Sequence, residues 1–391
     1  MMRRRLQSMG GAAVSVLLLV GAGCSRHYPA NYREYAYVTN TGSNTVSVID
    51  VLSLRKVKDI NVGGEPTGVA ANPSRNEVYA VNAATATVSV IDTRRNEVVE
   101  TIAVGKRPYF IDVSSSATLA AVANSGDDSV SIIDLEHRKV TSTVHVGKAP
   151  GVVRFAPSPN PENSQNRAVT RLQGLLFVSE RISGTVTVVD MHGNVIGTVK
   201  ACAAPTDLVA PSRTRVFVAC SGEAKLAVIG TDPAERNYKL LALLPVGNTP
   251  TSLALKPDTG ELFAMNFGSG TVSEVITGDA VVNATYDIGS KPSRGLVSAD
   301  NSLLYVSNFG SNNVEVFSID NGHTFASVNV GAAPDAMALS NNQSYLFVAD
   351  SGSNDVAVVR TKVARGDKPA LLTMISVGTK PSGIAITAYL Q

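Results

Sequence analysis

"AYVTNTGSNTVSVIDV" (residues 36–51) alternates β-branched and small polar residues on either side of a Gly-Ser-Asn turn. That is the pattern of two short strands joined by a tight connection. "VYAVNAATATVSVIDT" (78–93) and "LAAVANSGDDSVSIIDL" (119–135) repeat it closely. A chain that writes one unit many times must be read for its repeat before anything else.

Each copy has an apolar strand ending in a polar residue, a turn, a "TVSVID"-like strand, and a "KVxxIxVG" strand. A "PTGV"-like strand then leads into the next copy. The polar residues closing the first strands are Asn40, Asn82, Asn124, Glu180, Cys220, Asn266, Asn308 and Asp350, and four of the seven intervals are 42 residues. Four short strands per repeat of that length is the period of a β-propeller blade, and the Val, Ile and Thr content selects strands over helices. The longest interval holds a Pro-, Asn- and Ser-rich insertion at 156–174, read as a loop. A ring of blades also fits 391 residues, because each blade buries itself against its neighbours and needs no single large core.

Residues 36–62 supply three strands with no "PTGV" strand before them, and "KPSGIAIT" (380–387) is such a strand with no partners after it. The economical closure lays 382–387 innermost against 36–62, leaving no open edge between first and last blade. The expected fold is therefore an all-β, eight-bladed propeller over 36–391, with seven blades as the alternative.

"YVTN" (37–40), "GSNTVSVID" and "VGxxP" together resemble the YVTN β-propeller repeat family, which includes YncE-like bacterial proteins. The resemblance runs from Ala36 to Thr387 and implies the propeller; members are often described as seven-bladed, so a count of eight departs from that pattern. Lactonases and haem-d1-binding domains are similar in fold, but no diagnostic site of theirs matches here.

The N-terminus reads as a processing signal. Arg3, Arg4 and Arg5 precede an apolar "AAVSVLLLV" (12–20) too short to span a bilayer, and "GAGC" (21–24) resembles a lipobox. Residues 1–23 are thus the expected signal peptide, Cys24 the acylated residue and 24–35 a tether. Ser25 after the cysteine implies, by resemblance to enterobacterial sorting, an outer-membrane lipoprotein facing the periplasm. Loss of three arginines and no acids turns the formal charge from +2 to −1, so no basic field drives nucleic-acid or membrane-surface binding.

In an up-and-down ring the "VGxxP" loops and the turns after "YVTN" share one face. The Gly is expected for the tight turn and the Pro for the direction of the inner strand. The variable positions carry Lys106, Arg107, Lys148, Lys291, Arg294 and Lys380 against Glu65, Asp207 and Asp335, with Tyr109 and Phe110 beside them. Singly these cations read as solvated loop residues. As a ring around a channel mouth they would attract an anion. Phe267 and Phe309 occupy equivalent turns and read either as an apolar patch or as covers for blade edges. Cys202 and Cys220 return to the same face at the ends of a hairpin, where a disulfide forms if the Cα atoms lie ~4.4–6.8 Å apart.

There is no Cys-x-x-Cys-His, His-Glu-x-x-His, Gly-x-Ser-x-Gly or Gly-Lys-Ser/Thr motif. His137, His192 and His323 fall on the opposite face, His27 in the tether, and His145 on an outermost strand. No cofactor or metal is expected. The expected function is a non-catalytic, monomeric scaffold binding an envelope protein or a small anionic ligand and touching the membrane only through its lipid. The rivals are a lactonase-like or haem-d1-related enzyme, and nucleic-acid binding through the cation ring, which the charge balance disfavours.

Overall fold

The structure, a computed structural model, describes residues 28–156, 174–212, 214–232, 237–256, 260–362 and 367–391. Cys24, the signal segment, His27 and all but the ends of the 156–174 insertion lie outside the described residues. Among the described residues, the strands form eight four-stranded antiparallel sheets, and seven blades are excluded.

Blade 1 consists of Tyr32–Asn40, Thr45–Asp50 and Arg55–Asn61, and its innermost strand is the C-terminal Pro381–Leu390. Ala36 pairs with Ile386 and Val38 with Ile384, so the ring closes as the repeat phase requires. The first strand starts at Tyr32, four residues before the expected Ala36, because Tyr32 to Tyr35 pair with Thr387 to Leu390 and lengthen the ladder. The inner strands of blades 2 to 8 begin at Pro66, Pro108, Pro150, Pro205, Pro250, Pro292 and Pro334. They touch one another in order around the axis, and the last contact joins Pro381–Leu390 to Pro66–Ala71.

The core is divided to match. Eight apolar clusters each lie between two successive blades, from Tyr37, Val46 and Val48 against Val78 and Ile91, round to Phe347 and Val356 against Ala36 and Ile49. The "YVTN" strands are sandwiched between neighbours and buried on both faces: all six residues of Glu77–Asn82 are buried. The outermost strands bury one residue apiece in several blades, such as Ile60 and Ile102.

In four blades the asparagine closing the "YVTN" strand is held by the hydroxyls at the start of the next strand. The Asn40 amide donates to Thr45 Oγ1 at 3.0 Å and Ser47 Oγ at 2.9 Å, and Asn82 holds Thr87 and Ser89 in the same way. This side chain ties the turn to the "TVS" of the neighbouring strand, and buried amides need such partners.

The expected role of the loop glycines is corrected. Of the glycines in the "VGxxP" loops only Gly289 has positive φ, at 127°. The left-handed residue is the one before the proline, Glu65, Arg107, Ala149, Ala204, Thr249, Lys291, Ala333 or Lys380, with φ between 46° and 55°. Glycine is required instead by close approach. A Cβ on Gly63 would lie 2.7 Å from the Asn82 side chain, and one on Gly105 2.5 Å from that of Asn124.

Candidate functional site

The channel mouth is built by two loop sets clamped together in each blade. In blade 3, Ser125 N–H donates to Arg107 O at 3.1 Å and Gly126 N–H to Lys106 O at 2.9 Å. Equivalent pairs recur in other blades, for example Phe309 to Lys291 and Thr41 to Lys380, each at 3.0 Å. These paired bonds hold the left-handed residue before each proline, a conformation that costs a non-glycine residue roughly 1–2 kcal/mol. The mouth is therefore a rigid rim on which side chains are displayed.

A cavity of about 280 Å³ opens at this mouth, lined by Tyr109, Phe110, Val152, Arg181, Thr206, Thr251, Phe267, Ser293, Arg294, Phe309 and Asp335. Below it a chamber of about 410 Å³ follows the axis, sharing Tyr109, Phe110, Arg294 and Asp335 and adding Arg154 and Asp207. Of the residues singled out from the sequence, the fold thus brings Tyr109, Phe110, Asp207, Phe267, Arg294, Phe309 and Asp335 to the axis. Lys291 stands at the rim with its Nζ 5.9 Å from the Phe267 ring centroid.

The others do not converge there. Glu65 and Arg107 form an exposed ion pair at 3.7 Å, a geometry that contributes little. Lys106, Lys148 and Lys380 are exposed loop residues, held by main-chain N–H bonds to Asp127, Ser183 and Asn354 and absent from the cavity wall. The expected ring of converging cations is therefore corrected to a wall of mixed charge. Arg294 Nε lies 3.3 Å from Asp335 Oδ1. Burial acts against the guanidinium charge, but Asp335, Asp207 and Tyr109 outweigh it and leave the pKa of Arg294 raised.

Asp207 is buried, with both oxygens engaged: Oδ1 accepts Leu208 N–H at 2.9 Å and Oδ2 accepts Leu253 N–H at 3.0 Å, joining the inner strands of blades 5 and 6. Asp112 does the same between blades 3 and 4, accepting Phe155 N–H at 2.9 Å and facing Arg154 at 3.6 Å. Burial raises the pKa of Asp112, against the pull of Arg154 and two main-chain donors. These two carboxylates brace the channel wall.

Three charged residues of the site escaped the sequence reading. Arg181 lies in the turn after Glu180, at the position of Phe267 and Phe309, and its guanidinium carbon sits 4.9 Å from the Tyr109 ring centroid. No carboxylate among the described residues forms an ion pair with it. Arg154, 4.7 Å from the Phe110 ring centroid, and Asp112 sit four residues beyond the prolines of their inner strands. Comparing the copies at that column, and at the one after the closing residue, would have singled them out as the charges among otherwise uncharged residues.

Phe267 and Phe309 pack together with centroids 6.1 Å apart and line the mouth cavity as well. All 11 Tyr and 10 Phe are described, and the only two exposed are Tyr109 (39%) and Phe309 (38%), both in this wall. Cys202 and Cys220 are bonded at the top of blade 5, with Cα atoms 5.8 Å apart. No group of three or more His, Cys, Asp and Glu among the described residues is arranged to hold a metal ion, and no described helix is long and apolar enough to cross a membrane.

Against known proteins, a family model described as YNCE-like beta-propeller matches residues 14–160, and one described as lactonase, 7-bladed beta-propeller, matches 277–380. No curated protein matches the sequence. Among solved structures, apo AztD from Citrobacter koseri is 18% identical, with TM-score 0.66 over 91% of this chain and 98% of that one. A putative 6-phosphogluconolactonase from Bacteroides fragilis is 15% identical, with TM-score 0.60 over 92% of this chain and 98% of its own. The dihydro-heme d1 dehydrogenase NirN, solved in complex with DHE, is 12% identical, with TM-score 0.68 over 90% of this chain and 74% of its own. At such identities the likeness is one of fold, and fold alone does not transfer activity. The repeats and the closed ring make this chain an eight-bladed β-propeller, similar over residues 14–160 to the YncE-like propellers.

Proposed function

We propose that this protein is an envelope lipoprotein whose propeller binds a small anionic ligand at the channel mouth and performs no chemistry on it. The observation that carries the reading is Arg181: a guanidinium in a cavity wall with aromatic neighbours and, among the described residues, no carboxylate paired to it. A cation in a concave, partly desolvated site attracts an anion far more strongly than one on an open surface. An enzymatic reading would lean on Asp207 or Asp335, yet the first has both oxygens bound to main-chain N–H groups and the second is paired with Arg294.

The direction of the chain supports the anchoring. Asn40 and Pro381 pair at the mouth end of blade 1, so Tyr32 and Leu390 lie at the far end. Cys24 precedes Tyr28 by four residues, a reach of at most ~13–14 Å. An acyl chain at Cys24 then holds the face opposite the mouth near the membrane and leaves the mouth open to the periplasm.

Thermal melts of wild type and Arg181→Gln against a panel of small organic anions test the binding. Anions that raise the wild-type melting temperature should lose that effect in the variant; a panel without effect on wild type refutes it. Labelling with radioactive palmitate, retained by wild type and absent from Cys24→Ser, tests the anchor.

A further inference from the structure

The lining of the mouth specifies more than charge, and, resting on the reading that this cavity takes an anion, we infer that the ligand is a planar aromatic monocarboxylate of one or two fused rings. Three observations carry this.

The first is the placing of aromatic surface. The protein leaves two aromatic side chains exposed, Tyr109 and Phe309, and both stand in this one wall. They belong to blades 3 and 7, which lie opposite each other in a ring of eight. Phe267 extends the Phe309 side, with ring centroids 6.1 Å apart. Exposed aromatic rings on facing sides of a concavity are poorly hydrated, and a flat conjugated guest gains stacking contacts there beyond the area it buries.

The second is charge. The mouth cavity holds Arg181, Arg294 and Asp335, a formal net charge of +1. Deeper in, Arg154 and Arg294 are balanced by Asp207 and Asp335, so the chamber wall is neutral. A monoanion matches this count; a dianion would enter with an uncompensated charge beside Asp335. The carboxylate pairs with Arg181, whose planar guanidinium offers the forked donors that two carboxylate oxygens accept.

The third is size. A volume of about 280 Å³ lies at the lower limit of pockets that enclose drug-sized molecules, roughly 300–1,000 Å³. One or two fused rings fill it, and the inner strands continue as the channel wall below.

Calorimetric titration of the detergent-solubilised full chain decides the matter with three probes. These are 2-naphthoate, its saturated decalin carboxylate of equal charge but without a flat π-face, and 2-naphthyl phosphate as a dianion. Naphthoate should bind, the decalin acid about tenfold more weakly, since two stacking contacts at ~0.5–1.5 kcal/mol each are lost. The phosphate should bind no more tightly than naphthoate. Equal affinity for naphthoate and decalin acid overturns the aromatic class while leaving an anion site intact. Tighter phosphate binding overturns the monoanion. Silence from all three probes overturns this class, and it removes the anion site as well only if the wider panel of small anions is equally without effect. Because wild type alone supplies these comparisons, no variant need fold. Arg181→Gln and Tyr109→Leu then locate the site: each should weaken naphthoate at least several-fold, and undiminished binding in both places the ligand elsewhere and overturns the assignment.

Discussion

Cys202 and Cys220 of blade 5 occupy the positions that Gly63 and Asn82 occupy in blade 2, and where the latter pair pack in contact the former are covalently joined. In the other seven blades the loop residue is glycine because a Cβ would run into the closing side chain. In blade 5 the contact has become a bond across a separation of 18 residues. The two solutions serve one end, holding the loop that leads to the inner strand against the end of the "YVTN" strand.

Breaking that bond should be costly. Closing a loop of this length stabilises by about 3 kcal/mol in the chain-entropy account, so Cys202→Ser/Cys220→Ser should melt well below wild type. Cys202→Gly/Cys220→Asn, which rebuilds the pair used elsewhere, should recover part of the loss. Thermal melts followed by circular dichroism check both; a rebuilt pair no better than the serine pair would deny the equivalence of the two positions.

Gly63→Ala puts a methyl group 2.7 Å from the Asn82 side chain and into Thr85 Oγ1. Overpacking of this kind costs ~1–3 kcal/mol. Adding Asn82→Ala should not simply sum with it, because the two residues touch. Urea denaturation of the single and double variants gives the coupling.

Asp350 stands where five blades carry Asn, and burial together with the neighbouring Asp355 pushes its pKa up to about 8. The fold therefore favours its neutral form. Below the ordinary carboxylate pKa near 4 both folded and unfolded chains are protonated and nothing is lost; from there to about pH 8 the unfolded chain ionises first, and stability falls as pH rises. Asp350→Asn keeps an acceptor for the Gly331 N–H, now bound at 3.0 Å, and removes this loss. Its advantage should be near zero at pH 4 and on the order of 1–3 kcal/mol at pH 8. Melting temperatures of both proteins across that range measure it, and a difference that does not change with pH would remove Asp350 as the cause.

Asp335→Asn releases Arg294, 3.3 Å away, and raises the formal charge of the mouth cavity from +1 to +2. Dianions should then gain on monoanions. Titration with naphthyl phosphate and naphthoate before and after the substitution reads the change as a ratio of affinities, independent of any shift in stability.

Removal of residues 381–391 deletes the inner strand of blade 1 and one wall of the channel. Tyr32–Asn40 loses its inner partner, and the clusters flanking blade 1 are opened. Loss of the single cooperative transition in a thermal melt is the expected result.

The sequence by itself determined the blade and the expected closure, since those depend on period, strand alternation and an unpaired segment at each end of the repeat array, while the choice of eight blades over seven was made by the pairing of the C-terminal strand in three dimensions. It also placed Tyr109, Arg294 and Asp335 on the right face, because loop position is set by strand order. Which of the face's charges meet was decided only in three dimensions. Lys106, Lys148 and Lys380 share their motif positions with residues of the rim and remain exposed there. Arg181 belongs to a different column of the repeat and enters the cavity. The physical reason is that repeat phase sets which end of a blade a residue occupies, whereas convergence on the axis depends on side-chain reach and on partners contributed by other blades. The pairing of Arg294 with Asp335 joins residues of neighbouring blades, and no reading of one repeat contains it.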